Sequence, residues 1–242
     1  MSKILNQRIE KYWDARSEDF SRIRQIELGG IDAEIWRTLI EKKLPDKKPL
    51  KILDAGTGAG IFAILLSKIG HNVTGIDLSS KMLEEAKKNI LKLGGQAEFF
   101  KMSAEKLNFE NETFDVVISR NLTWTLPDVM EAYREWRRVL KIGGVLINFD
   151  SDCGETKFSK KTDANDVHAN IAENLIQECN NIKDSLRIST HRRPIWDMEF
   201  LRKLGFSVEI DENIAPIVHQ DKNCHYDSIP IFGIYAKKIF HT

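Results

Sequence analysis

Residues 51–80 read KILDAGTGAGIFAILLSKIGHNVTGIDLSS: an apolar run ending at Asp54, glycines at 56, 58 and 60, a helical apolar pattern, and a second apolar run ending at Asp77. Short apolar runs bounded by glycine read as buried strands, and the longer run between them as a helix. The stretch therefore predicts a strand at 51–54, a helix from about 60 to 69 and a strand at 72–77. A strand, a crossover helix and a second strand in this order form a parallel unit.

Ligands of an open parallel sheet sit at the carboxyl ends of the strands, and the first strand-to-helix turn lies there. Gly56, Gly58 and Gly60 allow a tight turn and close backbone approach. Asp77, at the tip of the second strand, is placed to accept hydrogen bonds from two ribose hydroxyls. The glycine spacing decides which nucleoside ligand fits. A dinucleotide fingerprint would need a third glycine at position 61, where Ile61 stands. The acid at Asp54 would repel a pyrophosphate and suits a ligand with a cationic group.

Outward from this unit the alternation continues. Ile9, Trp13, Arg16, Phe20 and Ile23 recur at helical spacing, and IDAEIWRTLIEKKL forms a second helix that stops at Pro45. The lysine-rich PDKKP reads as a solvated connector. Met82, Ala86, Ile90 and Leu93 make one face of a helix capped by Ser79 or Ser80. Strands are expected at 97–101 and 114–119, a helix at 128–140, and a strand at 144–149 after a Gly143-Gly144 turn. A polar insertion follows, helical through Ile171, Leu175 and Ile176. A covering helix then begins near Pro194, with strands at 206–210 and over IFGIYAKKI.

The 242 residues suffice for one α/β core. Charged residues make up 30% and hydrophobic ones 42%, and Lys plus Arg equal Asp plus Glu at 36 each, so no global field draws a nucleic-acid backbone. No apolar run approaches a membrane span, and the N-terminal residues lack a signal-type apolar core, so the expected location is the cytoplasm. Cys153, Cys179 and Cys224 are widely spaced and read as reduced packing residues. His219, Cys224 and His225 fit no zinc spacing, and no metal is expected.

ILDAGTGAGIFAILLSKIGHNVTGIDLSSKML resembles the first two motifs of class I S-adenosylmethionine-dependent methyltransferases of the type 11 kind. FDVVISRNLTWTLPD and EWRRVLKIGGVLINF resemble their fourth and fifth strands. The likeness spans roughly residues 9–150. It implies a doubly wound, mostly parallel seven-stranded α/β sheet with helices on both faces, an antiparallel last strand, N-terminal helices and a helical lid inserted after the fifth strand. It also implies a single domain: an N-terminal helical cap (1–45), a cofactor core (50–150), a lid (151–194) and a C-terminal helix with strands (195–242).

Carried over by residue, the resemblance sets Asp54, Ala55, Gly56, Thr57 and Gly58 around the methionine end of S-adenosylmethionine, Asp77 on its ribose, and Leu78 and Met82 beside the adenine. MSAEKLNF matches the adenine-edge motif, with Ser103, Ala104 and Glu105 at the contact. Tyr12 and Trp13 would cover the methionine end, and Arg120 and Asn121 would close the site. Related enzymes often carry histidines after the fourth strand; here that segment reads NLTWTLP and offers none.

Methyl transfer from a sulfonium is an in-line displacement that needs positioning before it needs a base. The expected reaction is transfer to a small-molecule acceptor, in a pocket shaped by Trp124 with Arg192 or Arg193 orienting an anionic group. His168, His191 and Trp196 are further candidate contacts. The alternative is a catalytically silent module that keeps only the cofactor half of the fold, and formation of S-adenosylhomocysteine separates the two.

Overall fold

The computed structural model describes residues 2–161, 166, 168–222, 226 and 228–239. Helices α1 (Ser2–Gly29) and α2 (Ile31–Glu41) precede a sheet of β1 (Lys51–Ala55), β2 (Asn72–Asp77), β3 (Ala97–Lys101), β4 (Phe114–Arg120), β5 (Leu140–Ser151), β6 (Phe206–Asp211) and β7 (Ile231–Lys238). Helices α3 (Ile61–Lys68), α4 (Ser80–Leu93) and α5 (Val129–Val139) cross between parallel strands. Helices α6 (Glu173–Asp184) and α7 (Ile195–Lys203) lie between β5 and β6, and the single turn α8 (Ala215–Val218) precedes β7.

The strands are ordered β3-β2-β1-β4-β5-β7-β6, with β1 parallel to both β2 and β4. Only β7 runs against its neighbours, pairing antiparallel with β5 and β6 among the described residues. Strand order reverses between β1 and β4, which puts the ligand crevice above their carboxyl ends.

Period-two alternation feeds two cores. Leu53, Val117 and Leu146 point to one face with Tyr133 and Trp136, while Ile52, Val116, Ile118 and Ile147 point to the other with Trp36, Phe62 and Phe149. Trp36 packs edge-on against Phe62 and Phe149, with ring centroids 5.5 and 5.0 Å away.

Three local expectations change. Helix α1 is one rod from 2 to 29, longer than its large side chains advertise, because its buried stripe is partly polar: Arg16, Ser21, Arg24 and Glu27 are buried alongside Ile9 and Ile23. Strand β5 starts at Leu140, which pairs with Phe114 ahead of a register shift. Gly143 (φ 77°) and Gly144 form an irregularity within that strand, where a Cβ on Gly144 would sit 2.9 Å from the Asp115 carbonyl. The connector at 45–49 is not merely solvated, since Lys47 Nζ lies 2.8 Å from Asp115 Oδ1. As expected, Ser79 caps α4 by accepting from the Met82 N–H at 3.0 Å.

The loop after β5 is pinned to α6 by a reciprocal pair: Phe158 N–H donates to Asn180 Oδ1, and Asn180 Nδ2 donates to the Phe158 carbonyl, both at 2.9 Å. Among the described residues no helix is long and apolar enough to cross a membrane, and no group of three or more His, Cys, Asp or Glu is arranged to hold a metal ion. Cys224 and His225 lie outside the described residues.

Candidate functional site

The turn after β1 is shaped by its glycines. Gly56 (φ 69°) and Gly58 (φ 52°) adopt left-handed conformations that suit residues without a Cβ. A Cβ on Gly56 would stand 2.8 Å from Leu122, and one on Gly58 would stand 3.3 Å from the Phe20 ring. Asp77 locks this turn to the next one. Its Oδ2 accepts from Gly58 N–H at 2.9 Å and its Oδ1 from Ser79 N–H at 2.8 Å. Burial pushes the Asp77 carboxyl up to about 6 against those two donors, and the charge of Asp14 adds to the rise.

Above these residues opens a cleft of about 680 Å³. Gly56, Gly58, Asp77, Leu78 and Met82 form its floor and one side. Ser103 and Ala104 form the far side with Met102, while Trp13, Arg120 and Asn121 close the near end. Ten of the expected cofactor residues thus share one cavity, namely Trp13, Gly56, Gly58, Asp77, Leu78, Met82, Ser103, Ala104, Arg120 and Asn121.

The others are elsewhere. Asp54 Oδ2 accepts from Thr57 Oγ1 at 2.7 Å and from Ala63 N–H at 3.1 Å, so it ties the turn to the start of α3 and does not line the cleft. Burial raises its carboxyl to about 7, opposed by those hydrogen bonds. Ala55 and Thr57 are buried beneath the turn. Glu105 Oε1 accepts the Asp128 N–H at 2.5 Å, away from the cleft wall. Tyr12 is buried against Trp13, its ring 5.0 Å away edge-on, and its hydroxyl accepts from Arg16 Nη1 at 3.2 Å.

A second space lies behind Trp13, Phe20, Arg120 and Asn121, which face both. This chamber, about 770 Å³, is walled by Trp124, Phe158 and His168, with Arg24, Cys153, His219 and Tyr226 opposite and Asp150 at its base. An adjoining lobe of about 540 Å³ reaches between α1 and α6, past Tyr12 and Cys179. Trp124 lines both spaces. Its position is fixed by its indole N–H donating to the Asn121 carbonyl at 3.1 Å and its backbone N–H donating to Asp150 Oδ2 at 2.9 Å. Asn121 holds φ 53°, a left-handed conformation that asparagine tolerates.

The expected acceptor contacts divide. Trp124 and His168 line the chamber. Arg193 does not: its guanidinium is closed under β5, with Nε 2.9 Å from Asp197 Oδ2, Nη2 2.8 Å from Asp197 Oδ1 and 2.6 Å from Thr123 Oγ1, and Nη1 3.5 Å from Asp150 Oδ2. Its Nε and Nη2 are taken up by Asp197 and Thr123, and its Nη1 is buried against Asp150 without a hydrogen bond among the described residues, so the acceptor-orienting reading is replaced by a structural one. Arg192 lines a separate surface hollow with Asp152, and His191 stacks on Trp196 at 4.5 Å beside another groove formed with α1 and α5.

Residues that the sequence reading passed over include Asn6, Ile9 and Phe20 on the cleft and Arg24, Phe158 and Tyr226 on the chamber. Asn6, Ile9, Trp13, Phe20 and Arg24 are spaced as one stripe of α1, which was the available signal.

Residues 53–148 match the family model described as a methyltransferase domain, Methyltransf_11. Over those residues the chain is similar to methyltransferase domains of this type. It is 32% identical over 158 residues to a demethylmenaquinone methyltransferase of Lactococcus lactis, covering 61% of this chain and 60% of that protein. It is 30% identical over 141 residues to a ubiquinone biosynthesis O-methyltransferase of Colwellia psychrerythraea, covering 56% and 57%. The chain thus spans about three fifths of the length of these relatives. A solved methyltransferase from Aquifex aeolicus shares the fold at TM-score 0.59 and 20% identity, over 90% of this chain and 98% of that one. The Aquifex protein is described as dependent on S-adenosylmethionine.

Proposed function

We propose that the chain transfers a methyl group from S-adenosylmethionine to a small molecule held in the aromatic chamber. The observation that carries this reading is the shared wall. Trp13, Phe20, Arg120 and Asn121 face both the cleft with its strand-tip carboxylate and the aromatic chamber. A donor on one side and an acceptor on the other would meet across that wall.

The cleft residues suit the cofactor. Asp77 would hold the ribose hydroxyls, its carboxylate fixed at the cleft by the Gly58 and Ser79 N–H groups. Leu78 and Met82 would flank the adenine, with Ser103 and Ala104 at its edge. Gly56 and Gly58 would let the backbone approach the methionine end, and Trp13, Arg120 and Asn121 would close over it. When bound, the cofactor supplies an electrophilic methyl on a sulfonium. The chain's own residues then orient the acceptor and exclude water, which alone can contribute about 7–11 kcal/mol to the displacement.

The test is formation of S-adenosylhomocysteine in an acceptor screen. Aromatic ring acceptors come first in it, because the named relatives act in quinone methylation. Binding of the cofactor without turnover on any acceptor class would favour a silent binding module.

A further inference from the structure

We infer that the chamber takes an acceptor bearing a carboxylate, and that Arg24 and Arg120 are the groups that hold it. The inference rests on the methyl-transfer reading above and names the substrate class of the same site. Both guanidiniums line the chamber and both side chains are more than nine-tenths buried, at 6% and 7% exposed. They converge on Glu27 of α1: Arg120 Nη1 donates to Oε1 at 2.6 Å, and Arg24 Nη1 donates to Oε2.

Two cations therefore share one carboxylate. Burial alone would push the Glu27 carboxyl up, yet Arg120 and Arg24 pull it down to about 2, so Glu27 stays charged and the trio carries one excess positive charge. Asp150, also on the chamber wall, is already engaged by Thr123, by the backbone N–H groups of Trp124 and Ser151, and by Arg193. His219 adds no further positive charge. Burial, then the nearby Arg120 and Arg24, lower it to about 4, leaving it neutral at pH 7.

Geometry supplies a second pointer to an anion. Arg120 Nε is buried and has no hydrogen-bond partner among the described residues. An unpaired buried charge-bearing donor is costly unless a ligand completes it. Both guanidinium planes are held by rings, Arg24 4.5 Å from the Phe20 centroid and Arg120 4.3 Å from that of Trp36, so their donors are preorganised. A carboxylate matches such planar donors, and Trp13, Phe20, Trp124, Phe158 and Tyr226 give the chamber wall a large aromatic share, with His219 stacked on Tyr226 at 3.7 Å. A flat body with one carboxylate fits both halves of this lining. The carboxylate of the cofactor's methionine end is the other source of the same chemistry, since Arg120 also faces the cleft. Arg24 lines the chamber alone and separates the two.

The experiment titrates protein saturated with S-adenosylhomocysteine with matched acid and amide pairs, such as 4-hydroxybenzoate with 4-hydroxybenzamide and indole-3-carboxylate with its carboxamide, by calorimetry. The expected result is an acid preference of about tenfold or more in at least one pair. Arg24→Gln should abolish that preference, Arg24→Lys should keep part of it, and Glu27→Gln, if it folds, should increase it. S-adenosylhomocysteine affinity should stay within about threefold in Arg24→Gln. Absence of an acid preference in every pair overturns the inference. So does a tenfold loss of S-adenosylhomocysteine affinity in Arg24→Gln, which would assign the arginines to the cofactor. Failure of the wild-type protein to bind S-adenosylhomocysteine at all overturns the methyl-transfer reading itself, and with it this one.

Discussion

Arg193 and Asp197 form a two-point ion pair one helical turn apart, Nε to Oδ2 at 2.9 Å and Nη2 to Oδ1 at 2.8 Å, sealed beneath the loop that carries Trp124. Asp197 Oδ1 also accepts from the Tyr133 hydroxyl at 2.7 Å, and Arg193 reaches Thr123, whose backbone neighbour is Trp124. Removing Arg193 leaves Asp197 and Asp150 as buried unpaired charges. Arg193→Ala should destabilise the protein by about 3–5 kcal/mol. Urea unfolding measures this, and a loss of turnover with unchanged stability would contradict the structural role.

Asp77 is the strongest test of the cleft. With its carboxyl raised to about 6, it becomes an anion with two backbone donors only above that pH. Ribose hydroxyls need the anion as acceptor. S-adenosylhomocysteine affinity should therefore be flat above pH 7 and weaken below pH 6, approaching about tenfold per pH unit. Asp77→Ala should lose at least about tenfold at pH 7.5 through lost hydrogen bonds. Calorimetry from pH 5 to 8 shows whether the pH dependence vanishes in Asp77→Asn.

Gly56→Ala and Gly58→Ala should each lower stability by about 1–2 kcal/mol through left-handed strain, and both should weaken cofactor binding because the turn is the cleft floor. Gly70 provides the control. It also has a positive φ, 90°, but a Cβ there meets nothing within 4 Å among the described residues, and Gly70 does not line the cleft. Gly70→Ala should show the stability loss with cofactor affinity intact, measured by thermal shift and calorimetry in parallel.

Asp115 gathers Lys47, Lys141 and the Lys51 N–H at 2.8, 2.9 and 2.9 Å. Burial opposes its ionisation, but these partners hold its carboxyl down at about 2. A carboxylate lowered on folding stabilises the protein above the unfolded value near 4, and that stabilisation is lost as pH falls through about 2. Asp115→Asn should accordingly reduce stability at pH 7 and make little difference at pH 2. Lys47→Ala alone should cost no more than about 1 kcal/mol, since the lysine is largely exposed.

Trp124→Ala should abolish or sharply reduce turnover on any acceptor the screen identifies while S-adenosylhomocysteine affinity stays within about threefold, because Trp124 lines the chamber and its lobe but not the cleft. Stopped assays on the variant read both quantities. Full turnover would place the acceptor elsewhere.

The sheet was legible because its central strands are short apolar runs bounded by polar or glycine residues, a pattern that survives without neighbours. Ser79 as a cap and Asp77 at a strand tip were legible for the same local reason. Long-range choices were not. Asp54 and Asp77 look alike in sequence, yet the former turns into its own loop toward Thr57 and Ala63, a choice made by backbone geometry. The α1 stripe was half hidden because polar Asn6 and Arg24 interrupt an apolar pattern that hydrophobic periodicity reads well. Arg193 looked available because its partners Asp150 and Thr123 are far away in sequence, although Asp197 stands four residues on and could have been noticed.

Strand β7 fills the gap between β5 and β6 although it follows both in the chain. Until residues 231–238 are in place, β5 has an open edge from Val145 to Ser151 and β6 has no partner among the described strands. The apolar stretch Leu146, Ile147 and Phe149 on that edge is a template for pairing with another chain. The outer part of the sheet therefore depends on a long-range pairing, and a chain cut short before residue 231 should accumulate as aggregate even though every residue lining the floor of the cleft is present.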